Sequence, residues 1–162
     1  MVAMKSKVYV ETSVIGHLTS RLQNDVTVRG HQETTREWWR DARERFIIVA
    51  SRLVAQECAR GDKVAGEERS QIVADLTLLP TTHEAEDLAD ALISHHAVPE
   101  TEPEDALHIA IAAVNGIEYL VTWNFRHIAN AVVRTRIESV CRKLGYAPPV
   151  ICTPEELMEV EP

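Results

Sequence analysis

The chain has 162 residues, and its 17 lysines and arginines against 25 aspartates and glutamates give a formal net charge of −8 at pH 7. That length fits one domain over residues 1–162, large enough to bury most of its apolar surface. The acidic balance argues against strong non-specific affinity for nucleic acid, so any such binding must be local. The first residues lack the apolar core of a signal peptide and no apolar run approaches about 18 residues, so we expect a cytoplasmic protein without a membrane span.

The predicted elements alternate between strands and helices along the chain. Strands are predicted at 7–10, 46–50, 118–123 and 150–152, and helices at 29–45, 52–60, 63–76, 83–95, 103–116 and 128–144. Ser51 is predicted to cap the second helix and Gly61 to end it, while turn residues surround Pro80 and a last helical turn follows Pro154. Strands joined by helical crossovers predict an α/β fold, a three-layer α/β/α sandwich around a mostly parallel sheet of four to five strands.

Polar residues follow two of the predicted strands directly. Glu11 ends the first strand, and Thr122 and Asn124 stand at the end of the strand at 118–123. These side chains are expected at the carboxyl edge of the sheet, where ligands bind in doubly wound folds. Two simpler interpretations stay open, because Glu11 would also favour the N-terminus of the helix that follows it, and asparagine is well suited to a turn.

Glu57 shares a helix face with the apolar Leu53 and Val54, since it lies four and three residues after them. A carboxylate on an apolar face carries a desolvation cost unless a cation or a hydrogen-bond donor meets it. This position favours a functional site, and the alternative is a surface pair with Arg60.

Asp105 lies at the third position of a helix that is predicted to begin at Pro103. The helix is apolar on nearly every face from Ala106 onward, so it must be buried and must hold its acid at a fixed place beside the sheet. The alternative is an acid that only satisfies backbone N–H groups of the first turn. His108, one turn on, would either orient Asp105 or be a satisfied core histidine, and we favour the core histidine.

The three acids are expected to lie at one place, and this convergence indicates a catalytic site. A parallel sheet brings Glu11, Glu57 and Asp105 from three elements to one edge, where their charges repel unless a divalent cation binds them. Oxygen ligands of this kind suit Mg²⁺ or Mn²⁺ rather than zinc. A metal bound there would lower the pKa of a water and hold a phosphate oxygen for in-line attack.

The segments KVYVETSVIGHL, EDALHIAIAAVNG and VTWNFRHIANA, with Glu57 between the first two, resemble the PIN-domain family in order and spacing. This family of metal-dependent ribonucleases includes many bacterial toxins. The family usually has aspartate at the positions of Glu11 and Asn124. Glutamate at position 11 is the longer acid, and asparagine at position 124 removes one negative charge from the site.

The resemblance implies an endoribonuclease that cuts single-stranded or structured RNA and leaves a 5′-phosphate. It implies that the metal is held by Glu11, Glu57 and Asp105, and that Asn124 completes the catalytic set. Thr12, Ser13, Thr122 and Arg126 are expected to position the phosphate or the metal-bound water. A toxin of this type implies a small antitoxin protein as partner and a homodimer.

Two other classes of function are alternatives to a ribonuclease. Because Glu11 and Asn124 weaken metal binding, the alternative is a PIN-like domain of low or no activity that binds RNA or protein. A phosphoryl-accepting receiver domain shares the α/β architecture, but it needs an acid pair after the first strand and a lysine after the last. The segment ETSVIG offers one acid and the region around Val150 has no lysine, which argues against a receiver.

Several other residues are candidates for interfaces rather than for chemistry. Trp38, Trp39 and Phe46 would form either a dimer or antitoxin surface or part of the core. Arginines and a lysine cluster in two segments, and most are expected to be solvated helix faces: Arg29, Arg36, Arg40, Arg43 and Arg45 in one, and Arg134, Arg136, Arg142 and Lys143 in the other.

Two further sets of residues are unsuited to a metal or redox site. The odd number of cysteines, Cys58, Cys141 and Cys152, without a Cys-x-x-Cys pair, argues against a disulfide framework or a zinc ribbon and favours thiols in a reducing compartment. The adjacent His95 and His96 point to different helix faces, which argues against a shared metal site.

Overall fold

The computed structural model describes residues 4–159, and within them five strands form one parallel sheet in the order β3-β2-β1-β4-β5. The strands are β1 (Lys7–Val10), β2 (Ile47–Ser51), β3 (Thr77–Leu79), β4 (Tyr119–Val121) and β5 (Val150–Cys152). The helices are α1 (Thr12–Thr19), α2 (Val26–Arg45), α3 (Arg52–Cys58), α4 (Lys63–Ala74), α5 (His83–Ser94), α6 (Pro103–Val114) and α7 (Ala131–Lys143), followed by a 3₁₀ helix, Glu155–Leu157. The predicted three-layer α/β/α fold is confirmed.

Side-chain caps explain where several helices begin. Ser51 accepts a hydrogen bond from the Val54 N–H and so caps α3, as the sequence predicts. Asp25 and Asn130 cap α2 and α7 in the same way, which places the start of α2 three residues earlier than predicted and the start of α7 three residues later. The sequence boundaries were set by apolar periodicity, whereas the capping side chain decides the first helical turn.

The sequence does not predict strand β3, because the helix before it is expected to run to Leu76 and only a turn is expected around Pro80. Its three residues pair in parallel with β2, from Val49 opposite Thr77 to Ser51 opposite Leu79. A strand of this length carries too little alternation to be recognised, and its place at the edge of the sheet comes from pairing with β2.

The core lies on both faces of the central strands. Val8, Tyr9 and Val10 of β1 are fully buried, and α6 buries nearly every side chain against the sheet, as its apolar sequence predicts. All three cysteines are free and buried. None of the helices in residues 4–159 has the length and apolarity that crossing a membrane would require.

The cluster of Trp38, Trp39 and Phe46 belongs mostly to the core. Trp38 is fully buried, and its ring packs within 6.0 Å of Trp39 and 6.5 Å of Phe46, measured between ring centroids. Trp39 is half-buried under the guanidinium of Arg43 at 5.6 Å. The core interpretation of this cluster is therefore correct for Trp38, which is not available to a partner.

Candidate active site

The end of β1 and the end of β4 meet at the carboxyl edge of the sheet because Val10 pairs with Val121. The next residues, Glu11 and Thr122, leave the sheet side by side, and the Glu11 N–H donates to the Val121 carbonyl at 3.0 Å. The sequence prediction that these two residues share one edge is confirmed by this register.

Glu11 is the N-cap of α1 and is only 6% exposed. Its Oε1 accepts from the Ser13 hydroxyl at 2.5 Å and from the Thr122 hydroxyl at 2.7 Å, and its Oε2 accepts from the Ser13 N–H at 3.1 Å. Three donors compensate for the lost hydration of a buried carboxylate. The capping role that the sequence left open for Glu11 is therefore real, and it is combined with a place at the sheet edge.

The same two hydroxyls fix the loop after β4. Ser13 Oγ accepts from the Trp123 N–H and Thr122 Oγ1 accepts from the Asn124 N–H, both at 2.9 Å. Each hydroxyl therefore donates to Glu11 and accepts from the backbone of the loop. Ser13 and Thr122, which are expected to position a substrate, use their hydroxyls to hold Glu11 and the Asn124 loop in register.

Glu57 lies at the end of α3 and faces α1 and α6. Its Oε1 accepts from the Thr12 hydroxyl at 2.7 Å and from His108 Nε2 at 2.5 Å. The other ring nitrogen of His108 contacts the Tyr9 hydroxyl at 2.7 Å, and that hydroxyl contacts Ser51 Oγ at 2.7 Å. His108 is thus the satisfied core histidine that the sequence favoured, although its partner is Glu57 and not Asp105.

The surface pair considered for Glu57 and Arg60 does not form. The Arg60 guanidinium instead pairs with Glu104 at 3.1 Å, which leaves Glu57 to the interior contacts.

Glu57 and His108 form an ion pair in the folded protein. Burial alone would raise the pKa of Glu57, but the hydrogen bonds from His108 and Thr12 and the charge on His108 outweigh it and hold the pKa at about 2. Burial likewise would lower the pKa of His108, yet the bond to Glu57 and the charges of Glu11, Glu57 and Asp105 raise it. His108 therefore lies within the field of all three predicted acids.

Asp105 is held by residues of the loop after β4. Its Oδ2 contacts His127 Nδ1 at 3.0 Å, and the Asn124 side chain lies beside its carboxyl group, while Asn124 Oδ1 also accepts the His127 N–H at 3.0 Å. Burial raises the pKa of Asp105, and the nearby charge of Glu11 adds to the rise, although Asn124 and His127 act against it. A divalent cation would relieve this repulsion between the two acids.

A possible metal cluster overlaps the predicted one. Glu102, Asp105 and His127 place one ligand atom each within 4.8 Å of one another, the spacing that a single cation requires. Within residues 4–159 the predicted set Glu11, Glu57 and Asp105 does not itself meet this spacing, and it shares Asp105 with the cluster that does. The sequence predicts no metal-binding role for His127 or for Glu102, whose position before Pro103 looks like an ordinary helix start.

The protein belongs to the class of α/β proteins that have a parallel sheet and acids at its carboxyl edge, here one acid directly after β1 and one each on α3 and α6. Its fold is similar to the crystal structure of VapC20 from Mycobacterium tuberculosis, a toxin that cleaves the sarcin-ricin loop, with a TM-score of 0.58 and 19% sequence identity over 74% of this chain and 92% of that chain. In sequence, residues 8–132 match the family model described as the PIN domain. The chain belongs to the PIN-domain family, as its sequence motifs indicate. No curated protein matches the chain by sequence.

Proposed function

We propose that the protein is a divalent-metal-dependent endoribonuclease that hydrolyses phosphodiester bonds of RNA. The observation that carries this proposal is the grouping of three acids around His108: Glu57 contacts its ring directly, and Glu11 and Asp105 lie close enough for their charges to act on it. Glu11 is buried and Glu57 and Asp105 are half-buried, and acids of like charge held close together at one sheet edge are typical of functional sites. The chain's membership of the PIN-domain family supports the same chemistry.

Glu11, Glu57 and Asp105 are the proposed ligands of Mg²⁺ or Mn²⁺, and their oxygen donors fit a hard cation. When bound, the metal supplies an activated water and a counter-charge for the phosphate. His108 and Thr12 hold Glu57 ionised, while Ser13 and Thr122 hold Glu11 in place, so the acids are positioned before a metal arrives. Asn124 completes the proposed catalytic set by contact with Asp105.

We also propose a biological role as the toxin of a toxin–antitoxin pair in the cytoplasm. The fold similarity to the toxin VapC20 supports this role. A toxin of this kind binds a small antitoxin protein and forms a homodimer.

A second candidate, an RNA- or protein-binding domain with weak or no nuclease activity, is favoured by one observation. The Glu11 carboxylate already accepts three hydrogen bonds and caps α1, so it is committed to structural contacts before any metal binds. A carboxylate used in this way is a weaker ligand, because part of its lone-pair capacity is occupied.

Cleavage of labelled RNA in the presence of Mn²⁺ separates the two candidates. The wild-type protein should cut RNA internally, EDTA should stop the reaction, and Glu57→Gln should slow it by about 100-fold or more, because a metal ligand is lost. Glu44→Gln is the matched control, since Glu44 is exposed on α2 and the same change there should leave the rate unaltered. RNA that is bound but never cut, with several metals and substrates, would establish the binding-domain alternative.

The change Asn124→Asp tests the metal site directly. A second carboxylate beside Asp105 should tighten Mg²⁺ binding by about tenfold, about a third of the roughly 4 kcal/mol by which opposite unit charges 4 Å apart attract at an effective dielectric of 20. The added repulsion should lower the melting temperature of the metal-free protein, and Mg²⁺ should reverse the loss.

Asn130→Asp is the control for this experiment, because Asn130 also accepts a backbone N–H but is exposed at the start of α7. Calorimetry and melting curves with and without Mg²⁺ measure both effects. Equal behaviour of the two variants would show that Asn124 is only a turn residue.

A further inference from the structure

A cationic cavity adjoins the candidate metal cluster in this acidic protein. The cavity has a volume of about 430 Å³ and lies between the end of α5 and its following loop on one side and the Asn124 loop and α7 on the other. Arg126, His127, Arg136 and His96 line it, together with one acid, Glu100. Because the whole chain has a net charge of −8, two arginines beside a single acid are a local excess of positive charge.

The two arginines of this cavity have no protein partner. Within residues 4–159 the guanidinium group of neither Arg126 nor Arg136 makes an ion pair or a hydrogen bond, and both side chains are exposed. Other arginines of α7 are paired, since Arg134 contacts Glu156 at 3.9 Å and Arg142 contacts Glu138 at 3.7 Å. The guanidinium groups of Arg126 and Arg136 are therefore available to an anion, and planar guanidinium suits phosphate in particular.

The cavity shares one residue with the candidate active site at one end and one residue with a second depression at the other. His127 lines the cavity and also contacts Asp105, so the cavity opens beside the acids. Arg136 also lines a depression of about 370 Å³ that includes His95 and Lys143. Arg136 and Lys143 are about 10 Å apart along α7, since a helix rises roughly 1.5 Å per residue. An extended anionic chain could therefore contact the active site and both cavities at once.

We propose that this surface, defined by Arg126, Arg136 and Lys143, is a binding track for the sugar-phosphate backbone of single-stranded RNA on one side of the scissile bond. The proposal rests on the ribonuclease function and adds to it the path of the substrate. Arg126 holds the phosphate next to the reacting one, and Arg136 and Lys143 hold phosphates farther along the strand. Contacts of this kind position an RNA without reading its bases.

The track can be tested by RNA binding without cleavage. Binding of a labelled single-stranded RNA is measured in EDTA at several salt concentrations for the wild type, for Arg126→Ala with Arg136→Ala, and for Arg142→Ala. The double variant should bind at least tenfold more weakly at low salt, and the slope of log K against log salt should fall by roughly 0.7 for each arginine removed. Arg142→Ala removes one arginine from α7, the helix that also carries Arg136, at a position outside both cavities, and it should change binding and slope little.

The binding measurements distinguish failure of the RNA track from failure of the ribonuclease function. Unchanged affinity and slope in the double variant, or an equal loss in Arg142→Ala, would overturn the track while leaving the ribonuclease function intact. A wild-type protein that binds no RNA would overturn both proposals. RNA that depends on the two arginines for binding but is never cut with Mn²⁺ would support the track and overturn the nuclease. Both arginines are exposed, so the variants should fold, and circular dichroism checks that they do.

Discussion

Replacing His108 with leucine should lower the free energy of unfolding by about 3 to 5 kcal/mol, as expected when one partner of a buried ion pair is removed. His108 is 1% exposed, and its loss leaves Glu57 with Thr12 as its remaining donor among these interior contacts. The Tyr9 hydroxyl keeps only its contact with Ser51. Urea denaturation of the metal-free protein, followed by circular dichroism, measures the change.

His83→Leu is the control, because His83 is fully exposed at the start of α5 and the same substitution there should change stability by no more than about 0.5 kcal/mol. A second variant that combines His108→Leu with Glu57→Leu should regain part of the loss, since no unpaired carboxylate remains. If His108→Leu were as stable as His83→Leu, the ion pair would contribute nothing to folding.

The same pair should give the metal-free protein a maximum of stability between about pH 4.5 and 6.5, the ordinary pKa values of the two side chains. The pKa of Glu57 is lowered to about 2, so its contribution is present above pH 4.5 and is lost as the pH falls toward 2. The pKa of His108 is raised, so its contribution is present below pH 6.5 and is lost as the pH rises through the raised value. Protonation of Glu57 as the pH falls should lower the free energy of unfolding by about 3 kcal/mol at most.

Other carboxylates also titrate below pH 4.5, so the pH dependence is read as the difference between wild type and His108→Leu, both in EDTA. The difference should be largest between pH 4.5 and 6.5 and should shrink on either side. Parallel curves at all pH values would contradict the ion pair.

Most of the fold could be predicted because its signals are local. Strands β1 and β5 begin and end where the apolar runs predict, and Ser51 caps α3 as its position before that helix suggests. Strand β3 could not be predicted, because three residues beside Pro80 acquire their conformation from pairing with β2. The start of α2 depends on the Asp25 side chain and was set too late by periodicity alone.

The candidate site was predictable in position but not in its contacts. Parallel topology places Glu11, Glu57 and Asp105 at one edge, which the sequence order indicates. The bond between His108 and Glu57 joins residues 51 apart, and nothing in the helix pattern of either indicates the other. His127 reaches Asp105 only because Asn124 turns the loop after β4, so this partner too is a consequence of tertiary structure.

The hydrogen bonds that run from His108 through Tyr9 to Ser51 can point in either of two directions, depending on whether His108 is protonated. When His108 is an imidazolium, its Nδ1–H donates to Tyr9, whose hydroxyl donates to Ser51. When His108 is neutral, Ser51 donates to Tyr9, and the Tyr9 hydroxyl donates to Nδ1. Rotation of two hydroxyl groups thus accommodates the loss of one proton, and the heavy atoms that hold Glu57 at the sheet edge need not move.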